Sequence, residues 1–200
     1  MSVASVGSNG HQASMLLFPG AGSNRDHPTL VAIEQAVAPR VCVRADFPYR
    51  RAGKKLPDRA PVLIQAVVDE AAAMDAPAVV LGGRSMGGRM CSMAVAEGLV
   101  PNAVGLVLIS YPLHPPGKPD KLRVDHLPDI DVPCLFIHGT KDTFGTPEEL
   151  QQWTVTLAGA PGTLTHVWVD GKGHDLKRAD EQIIDAITSW LGRAGVDRDA

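Results

Sequence analysis

The stretch Ala78-Val79-Val80-Leu81-Gly82-Gly83-Arg84-Ser85-Met86-Gly87-Gly88 decides how this chain is read. Its first four residues are apolar without alternation, the pattern of a strand covered on both faces. Glycines then crowd a turn, and a helix follows from Ser85 to Gly98. A residue at the corner of so sharp a strand-to-helix turn sits in a strained backbone conformation, with its side chain presented outward. Here that residue is Ser85. Glycines two positions to either side complete G-x-S-x-G, and Gly82 and Gly88 widen the collar, so helix and strands can approach without side-chain clash.

Outward from this corner the same alternation repeats. Before it come an apolar run, residues 14–18, a helical stretch, 27–38, a second run, 41–45, and a second helix, 61–74. Leu30, Ile33 and Val37 share one face of the first helix, and Leu63, Ile64, Val67, Val68 and Ala71 form the stripe of the second. After it come apolar runs at 103–109, 132–137 and 164–169. A helix opens at Thr146-Pro147-Glu148-Glu149 with a capping-box pattern, and another runs from Ala179 to Leu191. Strands alternating with helices predict a three-layer α/β sandwich around a mostly parallel sheet of about six to seven strands. With no repeat and no linker, residues 14–192 read as one domain, and 1–13 and 195–200 as loose tails. Tyr111 to Asp131 carries five prolines, too many for a long helix, and reads as a structured loop.

Ligands of such sheets bind outside the carboxyl ends of the strands, so the residues just past each strand carry the chemistry. A serine hydroxyl needs a base, and the base needs an orienting group. Asp142 follows the fifth strand in Phe136-Ile137-His138-Gly139-Thr140-Lys141-Asp142, and His174 follows the sixth in Asp170-Gly171-Lys172-Gly173-His174. The order serine, acid, histidine and the shared sheet edge single out Ser85, Asp142 and His174 as catalytic candidates. His27 is the rival base and Asp170 the rival acid, while Asp175 is too close to His174 to meet its ring. His138 is expected to tie a loop at a strand end, His166 lies in a strand, His114 and His126 fall in the proline-rich loop, and His11 in the tail. Oxyanion donors are expected from the N–H groups of Met86 and, in the loop Pro19-Gly20-Ala21-Gly22, Ala21. Arg84 beside the serine, with Arg50 and Arg51 past the second strand, could attract an anionic substrate; the plainer reading of that basic run is a solvated loop.

Composition narrows the classes further. The 200 residues carry a net charge of −3, which gives no electrostatic case for nucleic acid or an acidic membrane. No apolar run approaches the roughly 18 residues that cross a bilayer, and the first residues do not form a secretory leader. Cys42, Cys91 and Cys134 sit in apolar settings and cannot all pair, which suits a reducing cytoplasm. Their spacing and that of the histidines suggest no metal site, and no phosphate-binding loop is present, so no metal and no cofactor are expected. Oligomeric state is not legible.

The loop Phe18 to Gly22, the elbow Gly82 to Gly88, the segment Phe136 to Asp142 and the pair Gly173-His174 resemble the α/β-hydrolase superfamily. More narrowly, with Ser110-Tyr111-Pro112-Leu113 and the basic stretch near Arg50, the chain is similar to small dienelactone-hydrolase-like serine hydrolases. That group is itself similar to a testis-expressed protein and to a subunit of a chromatin acetyltransferase complex. The resemblance covers residues 14–192 and implies a minimal fold without a lid domain, lacking all or part of the usual initial antiparallel pair. It implies a hydrolase that acts on a small-molecule acyl ester or thioester. Dienelactone hydrolases proper use cysteine where this chain has Ser85, so their substrate does not carry over. Two other readings remain open: a non-catalytic scaffold on the same fold, and an acyltransferase or perhydrolase using the same residues.

Overall fold

The computed structural model describes residues 12–157 and 163–197. Six strands, β1 (Ser14–Phe18), β2 (Cys42–Arg44), β3 (Val79–Arg84), β4 (Ala103–Ile109), β5 (Cys134–Gly139) and β6 (Leu164–Val169), form one sheet in the order β2-β1-β3-β4-β5-β6. Every neighbouring pair is parallel. The central strands β3 and β5 are buried at every position, whereas the edge strand β2 is only half-buried, which is why the runs 79–81 and 134–137 are apolar without alternation.

Alternate residues of each strand feed two cores. Leu16, Phe18, Val79 and Leu81 pack with α3 (Ala60–Ala73) and α4 (Met86–Ala96), joined by Tyr49 of the short α2 (Pro48–Arg51) and Leu150 of α5 (Pro147–Thr154). Met15, Leu17 and Val80 pack on the opposite face with α1 (Pro28–Ala36) and α6 (Asp180–Leu191). Trp190 of α6 needs bare backbone on β4: a Cβ on Gly105 would stand 2.8 Å from its ring. The three layers expected from the alternation are present. All six strands are parallel, and α6 buries Ile183, Ile187, Trp190 and Leu191, with Ile184 only half-buried.

Several boundaries differ for identifiable reasons. The third strand continues past Leu81 through Gly82, Gly83 and Arg84, because Phe18 and Leu108 pair with Gly83 across the sheet. The fifth begins at Cys134 rather than Val132, since Pro133 has no N–H for the ladder. The basic run past β2 is a helical turn: Pro48 starts α2 at its first position, too short to show a period. The far end is also more anchored than a loose tail. Val196 is fully buried, and Arg40 holds Asp197 through paired bonds of 2.8 and 2.9 Å. On the other side, the Ala13 N–H donates to Asp197. Residues 1–11, with His11, and 198–200 lie outside the described residues.

The proline-rich segment is ordered as expected. Tyr111 Oη donates to the Arg123 carbonyl at 2.7 Å, and a 3-10 turn, Leu127–Asp129, buries Leu127. His126 bonds Ser92 Oγ at 2.8 Å. Burial, then the nearby Arg89 charge, lowers His126 from 6.5 to about 4, against weaker opposite pulls from Asp125 and Asp129. The unfolded chain therefore binds the proton more readily than the folded one. This term is fully favourable above pH about 6.5 and is lost as the pH falls toward about 4, by on the order of 3 kcal/mol at most. Burial also lowers His138 and His166, so acid sensitivity is shared. Urea midpoints should fall between pH 7 and pH 4.5 and fall less in His126→Gln; an equal fall in both proteins would remove His126 from the explanation.

Candidate functional site

Chain order reverses between β1 and β3: the chain leaves β1 toward β2 on one side and returns through β3 on the other. Loops that follow these two strands diverge and open a crevice at their carboxyl ends. Ser85 stands there, at φ 49° and ψ −114°, a region L residues rarely occupy. Its N–H is fixed to the Ile109 carbonyl at 2.8 Å. A serine starting a helix ordinarily turns its hydroxyl back onto the first-turn N–H groups, but Ser85 makes no such cap. The hydroxyl faces His174 instead, with Oγ 2.8 Å from Nε2.

Glycines permit this corner. A Cβ on Gly87 would stand 2.7 Å from both the Phe18 carbonyl carbon and the Pro19 oxygen, and one on Gly82 would be 2.5 Å from the Val107 oxygen. The loop after β1 closes over the serine, since Gly20 has room for a Cβ only in direct contact, 3.6 Å from Ser85 Cβ.

His174 and Asp142 meet because the loops after β5 and β6 are joined. Lys141 N–H donates to the Lys172 carbonyl at 2.8 Å, and Gly171 N–H to Thr140 Oγ1 at 2.8 Å. Gly139 lies so close that a Cβ would stand 2.8 Å from the Gly173 oxygen. His174 Nδ1 lies 3.0 and 2.8 Å from the two Asp142 oxygens. Asp142 is 3% exposed and also accepts the Phe144 N–H at 2.8 Å. A buried carboxylate can only accept, so the Nδ1 proton is the donor and Nε2 keeps its lone pair toward the serine. Phe144 stacks on the His174 ring with centroids 3.9 Å apart, a contact no spacing in the sequence announces.

The rivals are otherwise engaged. His27 caps α1, its Nδ1 accepting the Thr29 N–H at 3.2 Å; burial first, then Arg84, pulls it below the ordinary histidine range. Asp170 accepts from Thr140 Oγ1 at 3.2 Å. His138 bonds the Gly145 carbonyl at 2.8 Å through Nε2, the loop-tying bond expected of it, and burial pulls it below the ordinary histidine range.

A cavity of about 630 Å³ opens over Ser85 and His174, lined on other sides by Ala21, Met86, Leu63, Met90 and Phe144. Among the described residues, the N–H groups of Met86 and Ala21 have no hydrogen-bond partner. Met86 begins α4, where a helix leaves its first N–H groups unpaired. The basic residues fare differently from expectation. Arg51 turns to Glu70 of α3 at 2.7 Å, outside the cavity. Arg50 lies over the Tyr49 ring and reaches the Ala21 carbonyl at 3.4 Å, bracing that loop together with Tyr49 Oη at 2.8 Å. Arg84 lines the cavity, but its guanidinium is committed to Thr29 Oγ1 at 3.1 Å and the Asp175 carbonyl at 2.7 Å, stitching the His174 loop to α1. Arg50 Nε is buried without a hydrogen-bond partner, but neither Arg50 nor Arg51 lines the cavity. Arg89 and Arg123, which do line the cavity, were missed, because neither directly follows a strand.

Among the described residues no cluster of His, Cys, Asp and Glu is arranged to hold a metal ion, and no helix is long and apolar enough to cross a membrane.

Solved structures with the same fold include an α/β-superfamily protein from Xanthomonas campestris pv. campestris, 21% identical, with TM-score 0.68 over 90% of this chain and 98% of that one. Est1E from Butyrivibrio proteoclasticus is 16% identical, with TM-score 0.71 over 93% and 90% of the two chains. A monoacylglycerol lipase from Paleococcus ferrophilus is 16% identical, with TM-score 0.70 over 88% and 93%. At these identities the likeness is one of fold alone. The family model described as an alpha/beta hydrolase domain matches residues 11–189, nearly the whole of the chain. This chain therefore belongs to the α/β-hydrolase domain family.

Proposed function

We propose that the protein is a serine hydrolase cleaving a carboxylic ester or thioester, with Ser85 as nucleophile, His174 as base and Asp142 as its orienting carboxylate. The observation that carries this reading is the unbroken line from Asp142 through His174 Nδ1 and Nε2, at 2.8 Å, to Ser85 Oγ, also at 2.8 Å, at the floor of an open cavity. His174 Nε2 takes the hydroxyl proton as Oγ attacks the carbonyl carbon. The carbonyl π pair moves onto oxygen, which the Met86 and Ala21 N–H groups receive. Collapse of that intermediate breaks the bond to the leaving oxygen or sulfur, which takes the proton back from Nε2. Water then loses a proton to Nε2 and attacks the acyl carbon; the bond from that carbon to Ser85 Oγ breaks, Oγ takes the proton back from Nε2, and the acid leaves.

The family membership and the monoacylglycerol lipase among the similar folds support this class of chemistry. A mostly apolar cavity, open to solvent with only a short proline-rich loop beside it, suits a small-molecule ester or thioester. A panel of short- and long-chain acyl esters and thioesters, run on wild type and Ser85→Ala, tests the proposal. Turnover of at least one compound that disappears in the variant is expected. Equal residual rates in the two proteins would place any chemistry elsewhere.

A further inference from the structure

Two arginines that the proposed mechanism leaves unused face the same cavity. Arg89 lies one turn beyond Ser85 on α4, its N–H bonded to the Ser85 carbonyl at 3.1 Å, so both side chains share one face of the helix. Arg123 comes from the proline-rich loop, fixed by the bond from Tyr111 Oη to its carbonyl and by its own N–H to the Leu113 carbonyl at 2.9 Å. Both line the cavity with Ser85 and His174.

Neither guanidinium has found a carboxylate. Other arginines of the chain do find one: Arg40 pairs with Asp197, and Arg44 with Glu34 and Asp26. Among the described residues Arg89 and Arg123 form no ion pair. Arg89 Nε is buried without a hydrogen-bond partner, and Arg123 reaches only the Pro112 carbonyl, at 3.5 Å. Burial and then the Arg89 charge pull Arg123 below the usual arginine range, so the two like charges feel each other. Two neighbouring, partly desolvated cations are unfavourable until an anion completes the site. The two carboxylates on the cavity wall do not serve: Asp175 Oδ1 accepts the Lys177 N–H, and Asp58, from the loop before α3, pairs with neither arginine.

We infer that Arg89 and Arg123 form an anion-binding subsite, selecting esters or thioesters that carry a carboxylate or phosphate group close to the scissile carbonyl. The helical register places the Arg89 backbone roughly 6 Å, about one turn, from that of Ser85. Planar guanidinium forks match either anion through paired bonds. This rests on the reading of Ser85 as nucleophile.

The test compares three p-nitrophenyl esters of similar length: the neutral pentanoate, the glutarate hemiester with its terminal carboxylate, and the matching ω-phosphono ester. Wild type should favour at least one anionic ester over the neutral one by about tenfold or more in kcat/KM, and the favoured ester identifies the anion. That preference should shrink roughly 10- to 100-fold in Arg89→Gln and in Arg123→Gln. It should persist in Arg51→Gln, whose guanidinium lies outside the cavity. A wild-type ratio near one overturns the subsite without needing any variant, as does a preference retained in both cavity variants. Calorimetric binding of glutarate and of inorganic phosphate to Ser85→Ala protein separates the two claims. Binding that depends on Arg89 and Arg123 while wild type turns over no ester would sink the nucleophile reading alone. Ester turnover without preference and without such binding would sink the subsite alone.

Discussion

Ser85→Ala, His174→Ala and the double variant are each expected to lower kcat on the best ester by nearly the same factor, about a million-fold. In the proposed mechanism the two residues act as one unit. Without the imidazole, the hydroxyl at 2.8 Å has no acceptor for its proton; without the hydroxyl, the imidazole has nothing to activate in the first step. Losing the second member therefore adds little, and what remains comes from the oxyanion donors and binding, roughly 10³- to 10⁴-fold over water. Asp142→Asn should fall between these and wild type, because an amide can donate to Nδ1 and stabilise the wrong tautomer. Single-turnover kinetics on purified proteins read all four. Additive losses, with the double variant falling by the product of the single factors, would mean that the two residues do not share a step.

Gly83→Ala is expected to destabilise the fold by about 3 kcal/mol or more, a large share of the roughly 5 to 15 kcal/mol of a typical domain. Gly83 pairs with Phe18 across β1 and β3, with φ 157°. A Cβ there would lie inside contact distance of the Phe18 carbonyl oxygen and 3.0 Å from its carbon. The obstacle is backbone, held by the sheet on one side and by Gly87 on the other, so it cannot swing aside as a side-chain tip would. Gly87→Ala presses on the same Phe18 carbonyl, and the double variant should therefore cost less than the sum of the singles. Urea unfolding at pH 7 measures all three; a Gly83→Ala midpoint within error of wild type would show that the corner has slack.

The sequence carried the sheet and the corner at Ser85 because both depend on local pattern. Apolar runs without alternation mark strands covered on two faces, and glycines at fixed offsets mark a turn in which backbones touch. The positions of Asp142 and His174 were legible for a related reason: a parallel sheet delivers every strand's carboxyl end to one edge, so order along the chain translates into proximity. Side-chain direction was not legible. Arg84 immediately precedes the serine, yet a strand alternates its faces, and its guanidinium is sent to Thr29 and the Asp175 carbonyl rather than to a ligand. Arg51 was displaced by a helical turn too short to leave a period. The stacking of Phe144 on His174, and the arrival of Arg123 at the cavity that Arg89 also lines, depend on how irregular loops close, which no periodicity encodes.

The measurement that bears most directly on the proposed chemistry is labelling by a fluorophosphonate probe, with the modified residue located by mass spectrometry. An activated hydroxyl displaces fluoride at phosphorus, and an ordinary serine does not. Stoichiometric modification of Ser85 in folded protein is predicted, abolished in His174→Ala and after denaturation. Folded protein that stays unlabelled, or that labels equally well without His174, would contradict the account.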